Sequence, residues 1–346
     1  MPACGVDISD RAIKYIELKP GNKQNQFLPV RFGEELLNPG VVVKGAIKDP
    51  DAFIEVLRKI NNAGISFCYV SIPEEKGYVA EFSIPRVASN YMRETVQLHL
   101  DEYIPIEASS AVFDYTQVVD SDRNMGVDEL IVVAATEYAF AQEFAKTFQK
   151  ADIIPLGFEL ESQAMSRAVI GRGERSTNAI AIIDIGREES NVSIVVNGVV
   201  RLASSVGIGG NVISRAIISD LSSDEETAIQ LKEKIGLLRR SGESQYASIV
   251  RAITPLRDEI REIIVYWHKT HSTPNAKVSK VLLCGGNASI PGMVEFISLG
   301  LGLPVNIANP WANSFSIDDY VPEIAWSSAL KYCTAIGLAL RGGENS

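Results

Sequence analysis

Two segments far apart in this chain are built to one plan. Gly5-Val6-Asp7-Ile8-Ser9 lies at the start and Ile183-Asp184-Ile185-Gly186 recurs near the middle, each an apolar run that ends in an acidic turn. After the first turn the chain returns through Ile13-Lys14-Tyr15-Ile16-Glu17-Leu18; after the second it returns through Val192-Ser193-Ile194-Val195-Val196. Matching hairpins in two halves limit the fold to one with two similar lobes. Hairpins that each carry an aspartate into a shared cleft suit a phosphate chain and its cation. With 346 residues there is enough chain for two cores.

The charge balance narrows the partners. Forty-three acidic and 33 basic side chains leave a net charge of −10, and a nucleic-acid binder needs the opposite excess to neutralise phosphates. The longest apolar runs, near Leu130–Ala135 and Ala179–Ile183, have the length of strands, well short of the roughly 18 residues of a membrane span. Met1-Pro2-Ala3-Cys4-Gly5 leads into the first strand without the pattern of a secretory leader, so the expected location is the cytoplasm. Cys4, Cys68, Cys284 and Cys333 are widely spaced in apolar surroundings and read as buried free thiols.

Local patterns divide the chain further. In residues 1–72 the hairpin is followed by a strand near Phe27–Phe32, a helix and a strand at Phe67–Ile72. Asp49 suits the helix cap, Pro50 its first turn, and Phe53, Leu57 and Ile60 fall on one face. From Pro73 to about Ile154 the pattern is β-α-β-β-α, with one helix ending before Pro105 and another stacking Phe140, Phe144 and Phe148 as core. An amphipathic helix is expected over Phe158–Ala168 and a polar linker over Gly171–Asn178. Beyond the second hairpin, Gly207-Ile208-Gly209-Gly210-Asn211 opens a helix. Residues 219–250 read as charged and helical, and a long helix then carries Leu256, Ile260, Ile264 and Trp267. Val281–Cys284 runs into Gly285-Gly286, and a closing helix spans Trp326–Arg341.

A nucleotide needs backbone amides at tight turns, a cation, and carboxylates that hold the cation through water. Asp7 and Asp184 are placed for the last role and Lys14 for the β or γ phosphate. Gly186, Gly209 and Gly210 permit close backbone approach, and Gly285-Gly286 makes a seat for adenosine. His268-x-x-His271 has ligand-like spacing but lacks a nearby third ligand, and Arg239-Arg240 reads as a solvated face.

In this order the motifs resemble the actin-like ATPase superfamily and, within it, the PilM family of type IV pilus assembly proteins. The resemblance runs through Gln97–Pro105 with Phe113-Asp114-Tyr115, Phe158–Ser162, Asp184-Ile185-Gly186, Gly209-Gly210-Asn211, Leu231–Gly236, Glu259-Ile260-Arg261, Gly285–Gly292 and Leu303–Pro310. It implies an α/β, actin-like (ribonuclease H-like) two-lobed fold. The first lobe would be residues 1–177, with an inserted partner-binding subdomain at about 73–154. The second would be 178–346, with a helical subdomain at about 219–279 and the helix 326–341 packing back on the first lobe.

The implied function is that of a cytoplasmic scaffold, peripheral at the inner membrane, that grips the N-terminal tail of a bitopic PilN-like partner. The tail groove would lie near Tyr69, Ile72, Tyr103 and Ile104. ATP and Mg2+ would be held by Asp7, Ser9, Lys14, Asp184, Gly186, Gly209, Gly210, Arg261, Gly285 and Gly286, with Asp7 and Asp184 facing the metal. A small-molecule kinase on the same fold and an FtsA-like division protein are the alternatives; the end of the chain at Gly342–Ser346 lacks the amphipathic helix expected of the latter.

The phosphate turns depart from the family pattern: Ser9-Asp10-Arg11 and Arg187-Glu188-Glu189 replace small residues. A carboxylate about 4 Å from a phosphate costs roughly 4 kcal/mol at an effective dielectric near 20. Asp10, Glu188 and Glu189 therefore oppose phosphate if they point inward, and Arg11 and Arg187 offset them. No residue stands out as a base for water, so efficient hydrolysis is not expected.

Overall fold

A computed structural model describes residues 3–118, 128–174, 178–238, 243–271 and 276–344. The first half runs β1 (Ala3–Ile8), β2 (Ala12–Pro20), β3 (Phe27–Leu36), the short pair β4 (Val42–Val43) and β5 (Ala46–Ile47), α1 (Pro50–Asn62) and β6 (Phe67–Ile72). It continues through β7 (Gly77–Pro85), α2 (Met92–Tyr103), β8 (Ala111–Val118), β9 (Asp128–Glu137), α3 (Tyr138–Lys150), β10 (Ile154–Leu160) and α4 (Glu161–Val169). The second half comprises β11 (Ala179–Ile185), β12 (Ser190–Val196), β13 (Val199–Val206), α5 (Gly210–Leu221), α6 (Glu225–Lys234), α7 (Glu243–Thr270), β14 (Val278–Cys284), α8 (Met293–Leu301), β15 (Val305–Ile307), α9 (Trp326–Ala329) and α10 (Cys333–Glu344).

The hairpin repeat extends to whole sheets. One sheet has the order β10-β6-β1-β2-β3 and the other β13-β12-β11-β14-β15. In each, three antiparallel strands are followed by two parallel ones. Asp7 lies opposite Lys14 in the first hairpin and Asp184 opposite Asn191 in the second. The two aspartates therefore occupy equivalent positions at the ends of central strands.

Between the sheets the core is continuous. On β11, Ala181, Ile183 and Ile185 face the second lobe's own helices, whereas Ile180 and Ile182 join a core shared with Ile16, Leu18, Met165 and α10. A strand buried on both faces reads as an unbroken apolar run, as β11 does. The closing helix lies in that shared core and contacts β1, β2, β6 and α4. It is interrupted by a 3-10 turn at Leu330–Tyr332, where the sequence suggested one helix over Trp326–Arg341.

A separate three-stranded sheet, ordered β7-β9-β8, carries α2 on one face. Its core draws on residues between Ala80 and Ala135. Phe144 and Phe148 of α3 lie instead among the core residues of the first sheet. On α1, the Asp49 carboxylate accepts from the Ala52 N–H at 3.1 Å, and Phe53, Leu57 and Ile60 are buried.

Besides the short β4, β5 and β15, two longer strands escaped the local patterns. Residues expected to begin a helix at Phe158 belong instead to β10, which pairs in parallel with β6 before α4 starts at Glu161. Pro155 and Gly157 disguise it, and both fit an edge strand with a register shift between them. The other is β13, the third strand of the second sheet. Residues 175–177 of the expected linker and the Arg239-Arg240 pair lie outside the described residues.

Candidate functional site

A cavity of about 600 Å3 separates the lobes. Its lining includes Asp7, Ser9, Lys14, Asp184, Gly186, Gly285 and Gly286, which the fold gathers from three turns. Lys14 Nζ donates to Asp7 Oδ2 at 3.2 Å, and the other Asp7 oxygen accepts from Ser71 Oγ at 3.2 Å. Burial would lower the Lys14 pKa, but the bonded Asp7, then Asp184 and Glu34, hold it above the ordinary lysine value. Gly285 has φ +86°, and a Cβ there would sit 2.0 Å from Asp184 Oδ1, so glycine is required where β14 leaves the sheet.

Sequence reasoning missed Glu161, a buried carboxyl at the start of α4 that faces the same cavity. The Asn191 side-chain amide donates to it at 3.0 Å. Burial raises its pKa well above the usual carboxylate value, and Asp7, Glu74 and Asp184 push it further. Asp184 is pushed up to about 6 by burial, against the pull of Lys14 and with the help of Asp7. The signal for Glu161 was hidden by the misplaced helix start. Acids outnumber the cations Arg11, Lys14, Lys44, Arg187 and Lys331 around the cavity, which leaves it short of positive charge.

The altered turns are resolved one residue at a time. Asp10 accepts from the backbone N–H groups of Lys44 and Gly45 at 2.9 and 3.1 Å, so it holds the β4–β5 turn. Glu188 accepts from the Asn211 side chain and lies 3.7 Å from Arg215. Arg187 bonds Asn211 Oδ1 at 3.3 Å and lies 3.8 Å from Glu225. Glu189 and Glu75 both line the cleft; burial first, then Glu75 with Asp10 and Asp184, pushes the Glu189 pKa up to about 9.

Other expected contributors are placed differently. The Ser9 N–H donates to Ala12 O at 3.0 Å, closing its own turn. At the start of α5, Gly210 N–H donates to Gly186 O and Asn211 N–H to Arg187 O, both at 2.9 Å. Gly209 and Gly210 therefore bind the second hairpin turn: their Cβ atoms would clash with Arg187 O and Asn287 Oδ1. Arg261 lies on α7, 3.3 Å from Asp258, and does not line the cavity. The histidine pair is also occupied. His268 Nε2 accepts from Val278 N–H at 3.1 Å, and His271 Nε2 lies 3.5 Å from Glu81. Among the described residues, no three His, Cys, Asp or Glu side chains are gathered to ligate a metal directly.

The cysteines, far apart in sequence, fall into two neighbouring pairs of free, buried thiols. Cys4 and Cys68 occupy adjacent parallel strands, and Cys333 lies beside Cys284, where with burial it raises the Cys284 pKa.

A second cavity, of about 680 Å3, opens between the inserted sheet and the first lobe. Two edge strands wall it, β8 at residues 112–116 and β10 at 158–160. The floor includes Gln163 and Ile170, and the β12–β13 turn at Gly198–Val200 closes one side. Glu159 sits in it, buried, with Arg167 bonded to both of its oxygens and Arg341 3.4 Å away. Ile72 lines this groove. Tyr69 lies just beyond it, beneath the Arg341 guanidinium at 5.5 Å. Tyr103 stacks on Phe82 and Ile104 is buried beside it, on the sheet face that α2 covers, away from the groove.

With this geometry in view, comparisons with known proteins agree. The family model described as "Type IV pilus assembly protein PilM" matches residues 5–343. A solved structure of a PilM–PilN type IV pilus biogenesis complex superposes with a TM-score of 0.82 at 19% identity, covering 99% of this chain and 98% of that one. MreB5 of Spiroplasma citri bound to ADP gives a TM-score of 0.57 at 13% identity, over 100% and 99% of the two chains. The ethanolamine utilization protein EutJ from Carboxydothermus hydrogenoformans gives 0.55 at 16% identity, over 97% and 88%. The cell division protein FtsA of Neisseria meningitidis serogroup B is 24% identical over 170 residues, 44% of this chain and 41% of that protein. These likenesses establish the actin-like fold. Among the described residues, no helix is long and apolar enough to cross a membrane.

Proposed function

The chain belongs to the PilM family of type IV pilus assembly proteins, and from that premise we propose that it is a cytoplasmic scaffold that receives the N-terminal tail of a PilN-like bitopic membrane protein in the groove between β8 and β10. The observation that carries this reading is the pair of unpaired strand edges facing one cavity of about 680 Å3. An extended peptide added to either edge gains main-chain hydrogen bonds, and apolar walls such as Val112, Phe158 and Ile170 receive its alternate side chains. Docking of this kind would bring the scaffold to the inner membrane through its partner.

The inter-lobe cleft fits a nucleotide with Mg2+. Its excess of buried acids over cations matches a hydrated divalent cation held by Asp7 and Asp184. Gly186, Gly285 and Gly286 leave room for a close approach to the backbone. When bound, the cation would neutralise charge that Lys14 alone does not offset. Lys14 would bridge Asp7 and the phosphates; the engaged amides of Ser9, Gly210 and Asn211 are not part of this phosphate seat.

The test is titration of the full chain with a synthetic peptide of the cognate PilN-like tail. Ala134→Glu, which sets a charge in the groove wall, is expected to weaken binding by about tenfold or more, equivalent to about 1.4 kcal/mol. Equal affinity of the variant and the parent, or no binding by the parent, defeats the groove reading.

A further inference from the structure

One buried ion cluster joins the inserted sheet to the second lobe and takes no part in the cleft. Glu81 on β7 receives two guanidinium N–H groups from Arg201 on β13, and His271, at the end of α7, contacts the same carboxylate at 3.5 Å. The Arg201 and Glu81 side chains are only 4% and 9% exposed. The His271 ring stacks on Trp267 with centroids 3.6 Å apart, and Arg201 lies 5.6 Å from the Trp267 ring. Trp267 is itself fully buried, with its indole N–H bonded to Ala276 O. The second lobe thus holds Arg201 and His271 against a buried Trp267, and Glu81 meets them from the insert.

The cluster borders the groove on both sides. Glu81 pairs across the ladder with Val132, which lines the groove, and Arg201 follows Val200, which lines it from the second lobe. The remaining wall, β10 and α4, belongs to the first lobe. A peptide in the groove therefore touches all three bodies, and the contact between Glu81 and Arg201 joins the strands that carry two of its walls. Opening that contact would leave a buried charge without its partner, so the walls have one strongly preferred separation.

We propose that Glu81, Arg201 and His271 are positioning residues forming a latch that sets the groove width, so that occupancy of the groove and the relative position of the lobes are linked. This rests on the tail-groove reading above. Linkage is reciprocal: a tail that favours the closed latch holds the second lobe, and a ligand that fixes the lobes favours the tail.

The experiment combines anisotropy titration with the cognate tail peptide and hydrogen–deuterium exchange on the full chain. In the parent protein, the tail is expected to slow exchange in β9 and at residues 198–202 together. Arg201→Met and Glu81→Gln are expected to weaken the tail by about tenfold or more and to uncouple the two protected regions, with Arg201→Lys losing less. Where a single variant fails to fold, His271→Gln, at a partly exposed side chain, and exchange in the parent decide the matter. Folded variants that bind within about twofold of the parent overturn the latch, as does protection that stops at β9 and β10. Absence of tail binding in the parent overturns the groove and the latch together, and is distinct from binding that the variants leave intact.

Discussion

Gly337 provides a sharp test of how the lobes are joined. It lies in α10 where that helix crosses α4, and a Cβ at this position would sit 1.7 Å from Ala164 O and 2.4 Å from Ala164 C. Carbon–oxygen contacts settle near 3.3 Å, so Gly337→Ala forces the helices apart by about 1.6 Å. Both clashing atoms are backbone, so no rotamer relieves them. The Gly337 carbonyl also accepts from Arg167 Nη1 at 3.0 Å, a charge-assisted bond lost in the shift. Alanine gains about 1 kcal/mol of helix propensity over glycine. Against that stand about 3 kcal/mol of overpacking and about 1.5 kcal/mol for the hydrogen bond, for a net loss of about 3 to 4 kcal/mol. At about 2–4 °C per kcal/mol the melting midpoint falls by roughly 10 °C. Gly300→Ala in α8 is the control, because its Cβ would meet Arg257 Cδ, a side-chain atom that a change of rotamer can move at the cost of its contacts with Asp258 and Phe296, rather than backbone. That variant should stay within about 1 kcal/mol of the parent. Urea and thermal unfolding followed by circular dichroism measure both. A Gly337→Ala protein as stable as the parent, or a larger loss at Gly300, refutes the close-packed joint.

Two further outcomes concern the cleft acids. Glu189, raised to about 9 in the fold, favours folding while protonated; its contribution is complete below its unfolded pKa and is lost as pH rises through about 9. Glu189→Gln should therefore raise the unfolding midpoint at alkaline pH and flatten its pH dependence, and a variant less stable at every pH contradicts the buried, protonated Glu189. Asp184, raised to about 6, likewise loses its contribution between its unfolded pKa and about 6. A bound Mg2+ would favour its ionised form, so calorimetry of Mg-ATP near pH 6 in buffers of different ionisation heat should reveal proton release that Asp184→Asn abolishes. No heat with folded protein at millimolar nucleotide rules out the nucleotide reading.

Much of this protein was legible from local pattern. The two Asp-bearing hairpins are self-contained: their alternation, turns and register depend on neighbours along the chain, and they anticipated both central strands. Capping by Asp49 and the buried stripe of α1 follow from a few adjacent residues in the same way. β10 was not legible, because Pro155 and Gly157 break a strand pattern and only pairing with β6 defines it. Missing that strand misplaced the start of α4, and with it Glu161.

The residues alone therefore specified two matching lobes, since hydrophobic period and turn chemistry act over short distances. Orientation required the folded molecule. Asp10, Glu188 and Glu189 are similar acids in adjacent turns, yet one caps a hairpin, one binds α5 and its neighbours, and one lines the cleft with Glu75. His268 and His271 have ligand-like spacing without a third ligand in the sequence, and the fold gives them to a backbone amide and a carboxylate. Such roles are set by groups distant in sequence that packing brings within 4 Å, and no local spacing encodes them.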